Sequence, residues 1–159
     1  MFAALGEARV TGATVLDAFA GSGALAIEAL SRGAARAVLV DRDPAATDAI
    51  RRNLRTTGLG DRARVQRRAV GPFLRDGPPT EAPFDLVFLD PPYEQPGVEL
   101  GSALTALAAP GWLAVGALVV LERAVAAELP PLPAGWVVTW RREYGDTLVV
   151  VATPATARP

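Results

Sequence analysis

Two kinds of hydrophobic pattern alternate along the chain. Thr14-Val-Leu-Asp-Ala-Phe19 is a short β-favouring run that ends in Ala20-Gly-Ser-Gly23, and Ala24 to Arg32 then places Ala26, Ile27 and Leu30 at helical spacing before Gly33 stops it. This reads as strand, glycine-rich turn, helix. Ala37-Val-Leu-Val-Asp41 is a second strand of buried type. Asp43-Pro44 then supplies an N-cap and a first-turn proline for a helix through Gly58, with Ala46, Ile50 and Leu54 on one face. Arg64 to Gln66 is a short third strand, Phe84-Asp-Leu-Val-Phe-Leu89 a fourth, and Ala117 to Leu121 a fifth. Leu100, Leu104 and Leu107 mark a helix over Leu100 to Ala108. After Pro130-Pro-Leu-Pro133 the rhythm changes. Trp136 to Arg141 and Thr147 to Ala152 are β-type runs around Gly145-Asp146, with no room for a crossover helix, so they form an antiparallel hairpin. Repeated βα units with a terminal hairpin predict an α/β, doubly wound sheet, mostly parallel with a C-terminal antiparallel hairpin.

Composition narrows the chemistry. With 159 residues, 50% of them hydrophobic and 21% charged, the chain is expected to fold as a single domain over residues 1–159 rather than stay disordered. The longest apolar runs, Gly116 to Leu121 and Thr147 to Ala152, are too short to cross a bilayer. Residues 1–10 lack the basic and apolar regions of a signal peptide, so a cytoplasmic location, with no membrane partner, is expected. Cysteine and histidine are both absent. That excludes disulfides, thiolate sites, cysteine nucleophiles and the Ser-His-Asp mechanism, and leaves carboxylates, hydroxyls, Arg and backbone groups to do the work without a metal.

Ligands of open α/β sheets collect at the carboxyl ends of the strands, and three such ends are acidic here: Asp17 to Gly23, Asp41-Arg42-Asp43 and Asp90-Pro91-Pro92-Tyr93. In the first, Gly21 and Gly23 let backbone approach a ligand closely. Asp41, 18 residues beyond Gly23, stands where a carboxylate can accept both hydroxyls of a ribose, whereas Asp43 reads as a helix cap. A carboxylate at Asp17 repels a pyrophosphate and suits the ammonium and sulfonium of S-adenosyl-L-methionine. In the third segment the two prolines fix φ and remove two donors, so the Asp90 side chain and the Pro91 carbonyl remain as acceptors. Two fixed acceptors can bind both N–H bonds of an exocyclic base amine and aim its lone pair at a methyl sulfonium, with Tyr93 stacked on the base.

Leu16-Asp-Ala-Phe-Ala-Gly-Ser-Gly-Ala-Leu-Ala-Ile-Glu-Ala-Leu-Ser-Arg-Gly-Ala34, with Phe88-Leu-Asp-Pro-Pro-Tyr93 and Gly145-Asp-Thr147, closely resembles the RsmD family of bacterial methyltransferases. The resemblance implies a Rossmann-like class I methyltransferase fold, S-adenosyl-L-methionine as cofactor, and methylation of the exocyclic N2 of a guanine (guanine-966) in 16S ribosomal RNA. The partner it implies is ribosomal RNA within the small subunit or its assembly intermediate; the chain itself is expected to be a monomer. Carried over by position, Asp17, Ala20, Gly21 and Gly23 line the methionine part of the cofactor, Asp41 and Arg42 its ribose end, and Asp90 to Tyr93 the target base, with Asp90 also facing the cofactor. Where the family often has Asn or Asp before an Ala at the adenine amino group, this chain has Arg68-Ala69.

Charge is unevenly distributed. Residues 1–80 carry twelve Arg against eight acids, and residues 81–159 four against nine. Arg51, Arg52, Arg55, Arg62, Arg64, Arg67 and Arg68 share their segment with one acid, Asp61. Family members carry a basic segment ahead of the part that matches Met1 to Leu5. From the local charge excess, RNA contact is expected of Arg51, Arg52, Arg55, Arg67 and Arg68, with a solvated helix face as the rival reading. Two other functions compete with RNA methylation: a DNA adenine-N6 methyltransferase, which shares the Asp-Pro-Pro-Tyr logic, and a catalytically silent cofactor- or RNA-binding module.

Overall fold

The computed structural model describes residues 1–92 and 97–155. Two short N-terminal helices, α1 (Phe2–Leu5) and α2 (Glu7–Val10), precede β1 (Thr14–Ala18), α3 (Ala24–Ser31), β2 (Arg36–Asp41), α4 (Pro44–Thr57), β3 (Ala63–Arg67), α5 (Val70–Arg75), β4 (Phe84–Leu89), α6 (Gly97–Leu107), β5 (Leu113–Ala124), β6 (Trp136–Tyr144) and β7 (Thr147–Pro154). The seven strands form one sheet in the order β3-β2-β1-β4-β5-β7-β6. The first five run parallel, and β7 pairs antiparallel with both β5 and β6. The doubly wound, mostly parallel, Rossmann-like sheet expected from the sequence is therefore present, with its antiparallel hairpin at one edge.

Alternation along each strand divides the apolar residues between two cores. Val15, Leu39, Leu86, Phe88 and Val120 face α3 and α4 through Ala26, Leu30, Ile50 and Leu54. Leu16, Val38, Val40, Leu89 and Leu121 face α5 and α6 through Phe73, Leu74, Leu100 and Leu104. Strands buried on both faces explain the near-continuous apolar runs of β1, β2 and β4. Asp43 caps α4 as expected, its Oδ1 accepting the N–H of Ala45 at 2.9 Å, and Pro44 opens that helix.

Several elements depart from the sequence reading. Residues 1–10 had no predicted structure. They form α1 and α2, anchored by the Phe2 ring 5.8 Å from that of Phe88 and by Arg9 Nη1 donating to the Gly116 carbonyl at 2.9 Å. Helix α5 had not been predicted, because Gly71-Pro72 interrupts its pattern. Trp112 secures it, with its ring 5.7 Å from Phe73 and 6.4 Å from Phe84. Strand β5 starts at Leu113 rather than Ala117, beyond a register irregularity between Phe84 and Leu86 of its partner.

The turn after β1 depends on Gly23, whose φ is +81° and whose absent Cβ would lie 3.0 Å from Leu39 Cδ2 and 3.2 Å from Ile50 Cγ1. Gly23→Ala combines a left-handed backbone with overpacking against both core residues. It is expected to cost about 2–4 kcal/mol, read as a lowered denaturant midpoint with an unchanged slope.

Candidate active site

The carboxyl ends of β1, β2 and β4 open together into a cleft of about 860 Å³, closed on one side by α5 and α6. That volume is of the size that takes a cofactor or other drug-sized ligand. Its floor is acidic. Asp17, only 1% exposed, lies within β1 and accepts the N–H of Ala26, in the first turn of α3, through Oδ2 at 3.2 Å. Burial pushes its carboxyl up from 3.8 to about 7. The Ala26 hydrogen bond opposes that rise, and the nearby Asp90 and Asp41 add to it. No guanidinium forms an ion pair with Asp17 among the described residues.

Asp41 does more than the sequence suggested. Its Oδ2 accepts the N–H of Gly21 at 2.9 Å and its Oδ1 accepts the N–H of Asp43 at 2.8 Å, so the carboxylate pins the glycine turn to the end of β2. Each oxygen keeps further acceptor capacity, and Asp41 lines the cleft. From above, Asn53 Nδ2 of α4 donates to the Ser22 carbonyl at 3.0 Å. The turn is held from both sides, and Phe19, at φ +67°, is the non-glycine residue that takes up its left-handed twist.

Asp90 is more open to solvent than Asp17, and no donor reaches its carboxylate among the described residues. Removal from water, with Glu122 of β5 as a repelling neighbour, raises its carboxyl to about 6. Pro91 is buried and Pro92 exposed, and both line the cleft. Tyr93 lies outside the described residues.

The structure therefore brings Asp17, Ala20, Gly21, Asp41, Arg42, Asp90, Pro91 and Pro92 around one space. Gly23 does not line the cleft and serves beneath it as packing. Ala69, from the Arg68-Ala69 pair, lines the wall, while Arg68 is engaged elsewhere, with Nη2 2.6 Å from Asp76 Oδ2 and its guanidinium 5.9 Å from the Phe73 ring.

The basic segment divides. Arg62 donates to the carbonyls of Ala34 and Leu30, and Arg64 pairs with Glu81 at 2.8 Å, so both are tied into the fold. Arg51 lies 3.7 Å from Asp48, while Arg52, Arg55 and Arg67 project into solvent.

Sequence reasoning missed the far wall: Val70, Leu74 and Arg75 on α5, and Glu99, Ser102, Ala103 and Ala106 on α6. The spacing of Val70, Phe73 and Leu74 could have signalled the helix. That α6 turns its small residues to the cleft depends on how the helix packs, which no local pattern shows.

The family described as "Conserved hypothetical protein 95" matches residues 1–153. A curated relative, "Ribosomal RNA small subunit methyltransferase D" of Escherichia coli strain K12, is 39% identical over 127 residues, 80% of this chain. The match spans only 61% of that relative's own length. Among solved structures, Escherichia coli yhhF superposes with a TM-score of 0.86 at 35% identity, covering 98% of this chain and 84% of the other. A ribosomal protein L11 methylase from Lactobacillus delbrueckii, at 22% identity and TM-score 0.73, covers 96% and 76% and shares the fold.

Proposed function

The chain belongs to the family described as conserved hypothetical protein 95, the RsmD family, and from that premise we propose that it is an S-adenosyl-L-methionine-dependent methyltransferase of small-subunit ribosomal RNA, with the exocyclic N2 amine of a guanine in 16S rRNA as its target. One observation carries the reading. A buried carboxylate with no ion pair among the described residues, Asp17, and two acceptor-bearing residues, Asp90 and Pro91, stand at neighbouring strand ends of one cleft. A cation and an amine are the groups those two ends suit.

The residues present fit the cofactor. Asp17 offers the counter-charge for its cationic end, Gly21 permits close backbone approach, and Asp41 keeps lone pairs for a ribose diol. Val70, Leu74 and Ala103 supply apolar wall for a base. S-adenosyl-L-methionine supplies, when bound, an electrophilic methyl group. Asp90 Oδ and the Pro91 oxygen accept the two N–H bonds of the target amine, which localises its lone pair. With that group bound, the methyl–sulfonium bond would break as the C–N bond formed, a neutral thioether would leave, and one amine proton would pass to Asp90 Oδ, whose carboxyl near 6 would release it to water at neutral pH.

Asp41→Ala is expected to weaken cofactor affinity by on the order of 1.5–3 kcal/mol through loss of charge-assisted hydrogen bonds. Gly21 and Asp43 lose their acceptor at the same time, so the melting temperature should fall too, a coupling that calorimetry of binding and of unfolding can check together.

The reading is tested by incubating the protein with methyl-labelled cofactor and, in parallel, 30S particles, free 16S rRNA and duplex DNA. Label recovered as N2-methylguanine from the ribosomal substrates is expected. Label in DNA as N6-methyladenine would overturn it, as would undetectable cofactor binding.

A further inference from the structure

Strand β6 is one of the two edges of the sheet, and it runs parallel to β5 because both pair antiparallel with β7. Its last residue, Tyr144, therefore lies at the same end of the sheet as Asp90. A bulge between Val138 and Trp140 inverts the alternation of β6. Trp136 faces the core of α5 and α6, whereas Trp140 packs beside the core of α3 and α4. Past the bulge, Trp140, Arg142 and Tyr144 share the face on which Val120, Val149 and Val151 lie.

Register then places the cleft and the edge in line. Leu89 pairs with Leu121, Glu122 with Val149, and Val149 with Arg142, so Asp90, Glu122, Val149 and Arg142 form a lateral row across β4, β5, β7 and β6. Three strand spacings give about 14 Å from Asp90 to Arg142, the reach of about two nucleotides.

Trp140 and Tyr144 rings lie 6.4 Å apart, and the Arg142 guanidinium sits 5.1 Å over the Tyr144 ring. Tyr144 is 40% exposed. In the acidic half of the chain every arginine of the described residues 81–155 falls on β5 or β6: Arg123, Arg141 and Arg142. Arg123 is buried and its Nε has no hydrogen-bond partner among the described residues. Arg141 and Glu143 alternate to the opposite face, and Glu122, the acid in the row, has its carboxyl raised by burial.

We propose that the Trp140-Arg142-Tyr144 strip of the β6 edge is a docking track for single-stranded RNA that leads to Asp90. Stacked rings give every base a partner without selecting sequence, and the Arg142 guanidinium meets a phosphate. The proposal rests on the RNA-methylation reading above for its destination.

The test is fluorescence anisotropy of a labelled oligouridylate of about twelve nucleotides against wild type, Tyr144→Ala and Arg142→Gln, over a salt series. Affinity is expected to fall about tenfold for Tyr144→Ala, and the log–log salt slope by about 0.7 for Arg142→Gln. Calorimetric affinity for S-adenosyl-L-methionine and circular dichroism should be unchanged, showing that the fold is intact. Oligouridylate affinity and slope equal to wild type in both variants would overturn the track. So would a wild-type dimer, seen by light scattering, that the variants convert to monomer, since the edge would then pair two copies. A wild type that binds the RNA but transfers no methyl to 16S rRNA would overturn the function proposed above and leave the track standing.

Discussion

Asp17→Asn is expected to stabilise the protein and abolish cofactor binding in one step. In the unfolded chain this carboxyl titrates near 3.8, and in the fold near 7, because burial disfavours its charge. Between those values the folded state holds a proton that the unfolded state has released, so stability falls as pH rises through that window and the loss is complete above 7. Three units correspond to about 4 kcal/mol at most. The amide has no charge to bury and keeps an oxygen for the Ala26 N–H, so on the order of 2–4 kcal/mol should return at pH 8, a rise in melting temperature of roughly 5–15 °C. At pH 4 the two proteins should melt together. The same ionisation links pH to the ligand: a cation favours the carboxylate, so wild-type affinity should decline below pH 7 and binding at pH 6 should release a proton. Calorimetry in two buffers of different ionisation enthalpy measures that proton. A variant that melts like wild type at pH 8, or that retains cofactor affinity, would remove Asp17 from the role of counter-ion.

Asp90→Ala is expected to lower the methyl-transfer rate by on the order of 10²–10³ while cofactor affinity changes only a few-fold, because the partner proposed for it is the target amine, where the interaction would matter most as charge develops. Asp90→Asn should recover part of the loss, since an amide oxygen still accepts a hydrogen bond and only the proton-holding role is gone. The wild-type rate should fall as pH drops through about 6, where the raised carboxyl of Asp90 takes up a proton and ceases to be a full acceptor. Normal single-turnover rates in the alanine variant would show that Pro91 and the loop suffice without it.

Both predictions depend on residues that sequence alone brings into view. Strand ends are legible because β1, β2 and β4 are buried on both faces and end where the apolar run meets an acid. Asp17, Asp41 and Asp90 stand out as polar interruptions of such runs. The N-cap at Asp43 and the hairpin around Gly145-Asp146 follow from chemistry within four residues. What escapes local reading is anything created by packing across the sheet. Helix α5, with a glycine and a proline in six residues, exists because Phe73 and Leu74 fill a core already shaped by Trp112 and Phe84. The bracing of Gly21 by Asp41 joins residues 20 apart, and the commitment of Arg62 to carbonyls of α3 and its following loop joins residues about 30 apart. A run of arginines in sequence accordingly looked like one surface and is divided by the fold into anchors and free charges.

The order of strands in the sheet also governs how the chain must assemble during synthesis. Central strand β1 is made early, yet its neighbour β4 is joined at Val15 and Leu86, positions separated by 71 residues. At a translation rate of about 5–20 residues per second, the open edge of β1 waits roughly 4–14 s for that partner. During this interval β2 can pair only the other edge of it. Nascent chains that have not yet reached β4 therefore carry an unpaired parallel edge of backbone N–H and C=O groups flanked by apolar side chains, the kind of surface that chaperones shield and that seeds association when they are scarce.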